Sequence, residues 1–270
     1  PDHRRLFDPE RFHAVLFGHT GASGRGAEGR CEDNTLPHLI ADMELIREKF
    51  GFQRWMIVGG SWGATLALAY AQAHPDRVTG IVLRATFLGT RRELEDVFLG
   101  ALPRLHPALS EDFLGVLPPE ERTRPLDAYF RRILDSDPAV HGPAARAWGD
   151  TERILSEHIS SRVRIDLNAL NSTRALPSTP FMEAHYFQND CFMKPDQLLT
   201  EAGRLEGIPG IIVQGRYDLL CPPATSHALA AAWRGSEIRI VEGAGHSLYD
   251  PGVRDAVMKA IADLASIIKR

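Results

Sequence analysis

Three short apolar runs in the first third of the chain are each followed by turn residues. Phe12-His13-Ala14-Val15-Leu16-Phe17 leads into the glycine-rich stretch from Gly18 to Gly29, Arg54-Trp55-Met56-Ile57-Val58 into Gly59-Gly60, and Ile81-Val82-Leu83 ends at Arg84. Runs of this length and content predict strands. Between them the apolar period becomes helical. Leu36, Leu39, Ile40, Met43, Ile46 and Phe50 fall on one face of a helix that Asn34 or Thr35 can cap and Gly51 can end. A second helix, rich in Ala and Leu, is predicted from about Ala64 to Ala73 and stops at His74-Pro75.

The alternation then breaks. From about Glu93 to Leu176 strand signal gives way to helix punctuation at Pro118-Pro119-Glu120-Glu121, Asp135-Ser136-Asp137-Pro138 and Gly142-Pro143. After Pro209 the pattern resumes: a strand over Gly210-Ile211-Ile212-Val213-Gln214, a helix near Ala224 to Trp233, a strand over Ile238-Arg239-Ile240-Val241, and a closing helix from Pro251 to Ile268. Strand, helix, strand in succession implies parallel pairing by right-handed crossovers, hence an α/β fold with helices on both faces of a mostly parallel central sheet. The expected organisation is a core of residues 1–92 and 198–270 interrupted by a helical cap, 93–197.

Composition narrows the class. With 44% hydrophobic and 24% charged residues, the 270-residue chain is neither disordered nor fibrous. A net charge of −4 without long runs of one sign gives no electrostatic reason for a nucleic-acid or membrane-surface partner. No window reaches the apolar length of a membrane span, and no charged-then-apolar leader follows Pro1. Three widely spaced cysteines, Cys31, Cys191 and Cys221, argue against a disulfide framework or zinc cluster, so a soluble protein of the reducing cytoplasm is expected.

The candidate chemistry begins at Gly59-Gly60-Ser61-Trp62-Gly63, which fits G-x-S-x-G between an apolar strand and an Ala-rich helix. Such a turn holds its central residue at strained angles and needs small neighbours. It would present Ser61 at the top of the sheet and aim the Trp62 N–H at an oxyanion. A serine hydroxyl needs a base, and the base an orienting acid. Asp218 follows the strand ending at Gln214, and His246 follows the strand ending at Val241. All three lie at carboxyl ends of parallel strands, in the order Ser, acid, His, and can converge on one edge. Taken singly, Asp218 could cap a helix, His246 could lie on the surface, and the Gly-rich turn could bind a phosphate.

These residues resemble those of the prolyl aminopeptidases, or proline iminopeptidases, of the α/β-hydrolase superfamily. The likeness is carried by Gly59 through Tyr70, His74-Pro75-Asp76-Arg77-Val78, Gly215-Arg216-Tyr217-Asp218 and Glu242-Gly243-Ala244-Gly245-His246. Leu6-Phe7-Asp8-Pro9 and the Asn34-Thr35 helix with Asp42 and Glu44 are similar too. The resemblance implies an α/β-hydrolase fold and removal of N-terminal proline from small peptides by Ser61, Asp218 and His246, with Trp62 at the oxyanion and neither metal nor organic cofactor. Trp148-Gly149-Asp150-Thr151-Glu152 and Glu183-Ala184-His185-Tyr186-Phe187 resemble segments through which Glu152 and Glu183 would grip the substrate's imino cation. Paired carboxylates in a partly dry pocket select for a free amino terminus. The resemblance also places Phe87, Phe187, Leu220 and Cys221 around the proline ring, and Cys221 would confer sensitivity to thiol reagents.

Two features depart from the family pattern. The amino-terminal strands and the His-Gly-Gly-Pro-Gly loop, source of a second oxyanion N–H, have no counterpart in the chain, and Gly18-His19-Thr20-Gly21 stands where the family has Asp-Gln-Arg-Gly. Loss of one oxyanion donor costs on the order of 10²–10³ in kcat. Two other readings therefore stand beside the exopeptidase: an α/β-hydrolase acting on esters or other acyl compounds, and a non-catalytic member of the fold.

Overall fold

Four strands, β1 (Trp55–Ser61), β2 (Val78–Thr86), β3 (Gly210–Gly215) and β4 (Ser236–Val241), lie side by side in chain order and pair in parallel throughout. The computed structural model describes residues 2–17, 31, 33–172 and 175–268. The helices are α1 (Leu36–Lys49), α2 (Trp62–Ala73), α3 (Arg91–Glu95), α4 (Leu102–Leu105), α5 (Pro107–Gly115), α6 (Pro125–Ile133), α7 (Pro138–Ser156), α8 (Thr179–Gln188), α9 (Gln197–Thr200), α10 (Pro223–Ala232) and α11 (Val253–Ile268).

The two-residue period of the strands divides their side chains between two apolar layers. Ile81, Leu83 and Ile212 pack with Leu39 of α1, Leu68 of α2, Leu229 of α10 and Trp233. Val82, Ile211 and Val213 pack with Val257, Ile261 and Leu264 of α11. Full burial of one such side chain contributes roughly 1.5–3 kcal/mol, so a one-residue slip of β2, which would exchange both layers, is strongly disfavoured. The parallel sheet with helices on both faces is the expected fold class.

Several boundaries differ from the sequence expectation. β1 does not stop before Gly59; it runs through Gly59-Gly60 to Ser61, because those glycines pair with Leu83 and Arg84 of β2. Arg84 accordingly lies within β2, which continues to Thr86. α2 starts at Trp62, directly after Ser61, rather than at Ala64. Phe12–Phe17 forms no strand. A strand exists only through a hydrogen-bonded neighbour, and this segment is separated from β1 by a cleft of about 570 Å³ lined by both. The stretch Gly18 to Gly29, with Gly18-His19-Thr20-Gly21, lies outside the described residues.

α1 ends as expected, with Gly51 at φ +72°. Its cap is Thr35, leaving buried Asn34 to reach across to α8, where its Oδ1 accepts the Tyr186 hydroxyl at 2.6 Å and its carbonyl meets His185 Nε2 at 2.8 Å. Between β2 and β3 the chain is helical, packed around Trp148, whose ring stacks on Phe98 at 4.4 Å and meets Phe130 edge-on at 5.4 Å. These residues join the apolar layer of α1 and α2. Among the described residues no helix is long and apolar enough to cross a membrane.

Candidate active site

Ser61 ends β1 at φ +56°, ψ −122°, a region that costs a non-glycine residue about 1–3 kcal/mol and persists only where its surroundings enforce it. The enforcing contact is at Gly59, where an added Cβ would sit 2.1 Å from the Gly63 carbonyl oxygen. At Gly63 a Cβ would meet nothing within 4 Å, so close approach constrains the front of the turn and not its back.

Asp218 and His246 sit at the ends of β3 and β4. Their loops touch: a Cβ on Gly215 would lie 2.0 Å from the Gly245 carbonyl oxygen. His246 Nδ1 donates to Asp218 at 3.0 and 3.1 Å. The carboxylate only accepts, so the proton is on Nδ1 and Nε2 is left as the basic nitrogen. Buried Asp218 also accepts the backbone N–H groups of Leu220 at 3.0 Å and Cys221 at 2.8 Å, so one carboxylate orients the imidazole and two cavity-lining residues. Ser61 and His246 line a common cavity, and no hydrogen bond joins them among the described residues.

Two cavities share Ser61 in their walls. The inner one, about 160 Å³, is lined by Ser61, Trp62, Phe87, Phe187, Leu220, Cys221, Glu152 and Glu183, among others. The outer one, about 550 Å³, contains Ser61, Leu220, both glutamates and His246. All ten residues singled out in the sequence therefore gather at this site, with Asp218 behind His246. Phe87 and Phe187 meet edge-on at 5.6 Å. Burial pushes the Cys221 thiol well up, and the Ser61 hydroxyl beside it acts in the opposite direction.

Glu152 of α7 and Glu183 of α8 face each other, deeply enclosed, with their accessible surface in the cavities. Burial raises Glu152 well above the usual carboxylate range, and the like charge of Glu183 raises it further. Burial raises Glu183 too, opposed by hydrogen bonds from Glu152 and from Trp148, whose Nε1 donates at 2.9 Å. Both carboxyls are thus held above their ordinary range, Glu152 the more strongly, as a close pair that a cation would complete. Among the described residues no group of three His, Cys, Asp or Glu side chains could hold a metal ion.

Sequence reasoning missed four contributors. Arg84 reaches from β2 beneath the turn, fills the space Gly60 leaves, and donates from Nη1 to the His246 carbonyl. Burial lowers its pKa, partly offset by Asp218. Asp250 accepts the Gly245 N–H at 2.6 Å and the His158 N–H at 3.3 Å. The Ser156 carbonyl and the Trp148 indole are the others. Trp148 was visible only as part of a motif; the remaining three carried no local signal.

A parallel sheet with a serine turn, an acid and a histidine at its strand ends is the arrangement of an alpha/beta hydrolase, and residues 6–253 match the alpha/beta hydrolase fold family. An alpha/beta fold family hydrolase from Bacillus anthracis strain Sterne superposes with a TM-score of 0.60 over 92% of this chain and 80% of its own, at 15% identity, a likeness of fold. A probable proline iminopeptidase of Leptolyngbya boryana is 37% identical over 266 residues, 96% of this chain and 81% of that protein. A proline iminopeptidase of Neisseria meningitidis serogroup B, strain MC58, is 39% identical over 269 residues, 98% and 84%. The chain belongs to the proline iminopeptidase family of alpha/beta hydrolases.

Proposed function

We propose that the protein is a serine exopeptidase that releases N-terminal proline from small peptides. The carrying observation is the enclosed Glu152–Glu183 pair in an apolar cavity that also holds Ser61. A prolyl ring fits between Phe87, Phe187, Leu220 and Cys221, its ammonium neutralised by the two carboxyls. An acylated or internal proline brings no cation there and would leave a buried pair uncompensated, which penalises it strongly. The same names borne by relatives support this reading.

Ser61 Oγ attacks the prolyl carbonyl carbon while His246 Nε2 takes its proton, and Asp218 steadies the imidazolium. The backbone N–H of Trp62, at the amino end of α2, supports the oxyanion. His246 then protonates the leaving amine nitrogen as the C–N bond breaks, leaving a prolyl ester on Ser61. Water attacks that ester, passes its proton through His246 back to Ser61, and releases proline. The helical residues 93–197 act as a cap that closes the inner end of the site. Free thiols at Cys31, Cys191 and Cys221 fit a reducing cytoplasm.

The test is hydrolysis of proline 4-nitroanilide against its N-acetyl derivative and a short acyl ester, with Ser61→Ala as control. Turnover confined to the free imino substrate is expected. Ester turnover without anilide turnover would overturn the assignment.

A further inference from the structure

The outer cavity differs in character from the inner one. Its wall is formed by a single stripe of α7, Arg146, Gly149, Asp150 and Arg153, spaced at i, i+3, i+4 and i+7, with Arg162 and Asp166 from the segment that follows. Arg153 pairs with Asp150 at 3.2 Å, Asp166 accepts the Asn168 N–H at 3.2 Å, and Arg146 Nη2 donates to the Ser172 carbonyl at 2.8 Å. The guanidinium of Arg162 meets no acidic side chain among the described residues. Three guanidinium groups thus line this side of the cavity with Asp150 and Asp166, while Glu152 and Glu183 lie at the end it shares with the inner cavity.

Position decides what such a wall would meet. With the amino end of a substrate held at Glu152 and Glu183, the chain beyond the scissile bond must depart on the side of His246, the group that protonates the leaving nitrogen. That side is the outer cavity. Arg146 and Arg153 lie seven residues apart on the helix, roughly 10 Å along its axis, a span that two to three extended residues of peptide would match.

Resting on the exopeptidase reading above, we propose that Arg146, Arg153 and Arg162 form a carboxylate-binding subsite for the leaving peptide. The favoured substrates are then short proline-initiated peptides carrying a carboxylate within a few residues of the scissile bond, supplied by the chain terminus or by an acidic side chain. Arginine suits this task because its planar fork can meet both carboxylate oxygens at once. The subsite is open to solvent, so its contribution is screened by salt.

The experiment compares kcat/KM for Pro-Gly-Gly with its C-terminal amide, and for Pro-Glu amide with Pro-Gln amide, at low and high ionic strength. At low salt the carboxylate member of at least one pair is expected to be favoured by about 3- to 5-fold, with the ratio falling toward unity at high salt. Arg153→Gln and Arg162→Gln should each lower the ratio at low salt. Each ratio is taken within one preparation, so partial loss of folded protein cancels. Preference in the first pair assigns the terminal carboxylate, and preference in the second a side chain. Equal rates within both pairs, with proline 4-nitroanilide turned over, overturn the subsite and leave the exopeptidase standing. No turnover of anilide or peptides overturns both.

Discussion

The carbonyl oxygen of Ser156 accepts the backbone N–H of His246 at 3.0 Å and that of Ser247 at 2.9 Å. Ser156 is the last residue of α7, and Glu152 lies one turn earlier on the same helix. The helix that presents a carboxyl to the inner cavity thereby also holds the loop of the proposed base, so the two ends of the site share one support.

Asp250 reinforces that joint by accepting N–H groups from both sides of it, Gly245 and His158. Asp250→Ala is expected to lower kcat about 10-fold with KM little changed, and to cost about 1.5–3 kcal/mol of stability by removing hydrogen bonds to a charged group. Steady-state kinetics with denaturant unfolding check both, and Asp250→Asn should recover part of kcat. An unchanged kcat in Asp250→Ala would refute the positioning role.

Strain at Ser61 predicts that stability and activity move apart. Ser61→Gly relieves the positive φ and should raise unfolding stability by on the order of 1 kcal/mol while abolishing hydrolysis. Ser61→Ala keeps the strain and should be equally inactive without the gain. Urea midpoints of the three proteins decide it.

The carboxyl pair predicts a pH signature. Because the folded-state pKa of Glu152 is raised, its contribution to stability is fully present below the ordinary value of 4.5 and is lost as pH rises through the raised value. Glu152→Gln should flatten this fall in a Tm series from pH 5 to 8, and should reduce kcat/KM for proline 4-nitroanilide by about 10²-fold or more. Parallel Tm curves for the two proteins would contradict the pairing.

Glu44 predicts the opposite slope. Its hydrogen bonds from Arg47, with help from Tyr70, hold it down at about 2. The stabilisation is present above 4.5 and lost as pH falls toward that depressed value. Glu44→Gln should therefore lose less stability than the parent between pH 5 and 2.5, measured by urea midpoint.

Cys221 is buried in the cavity wall with its thiol pushed up, so maleimide should inactivate slowly and faster with rising pH. Cys221→Ala should resist. Full activity after stoichiometric labelling of Cys221 would place the thiol away from the substrate.

The amino-acid sequence by itself determined the alternating strands and helices, the glycine-framed turn at Ser61 and the order of Ser61, Asp218 and His246. Each is written in a local period, or in a turn whose backbone demands a particular residue, and a few neighbours suffice to read it. It also marked Glu152 and Glu183, through resemblance rather than through any local pattern. Tertiary structure alone decided that Phe12–Phe17 has no ladder, that Arg84 holds the His246 carbonyl across 162 residues of chain, and that Ser156 and Asp250 join α7 to the His246 loop. These contacts form between backbone groups and side chains distant in sequence, and nothing in the local pattern of either partner encodes the other.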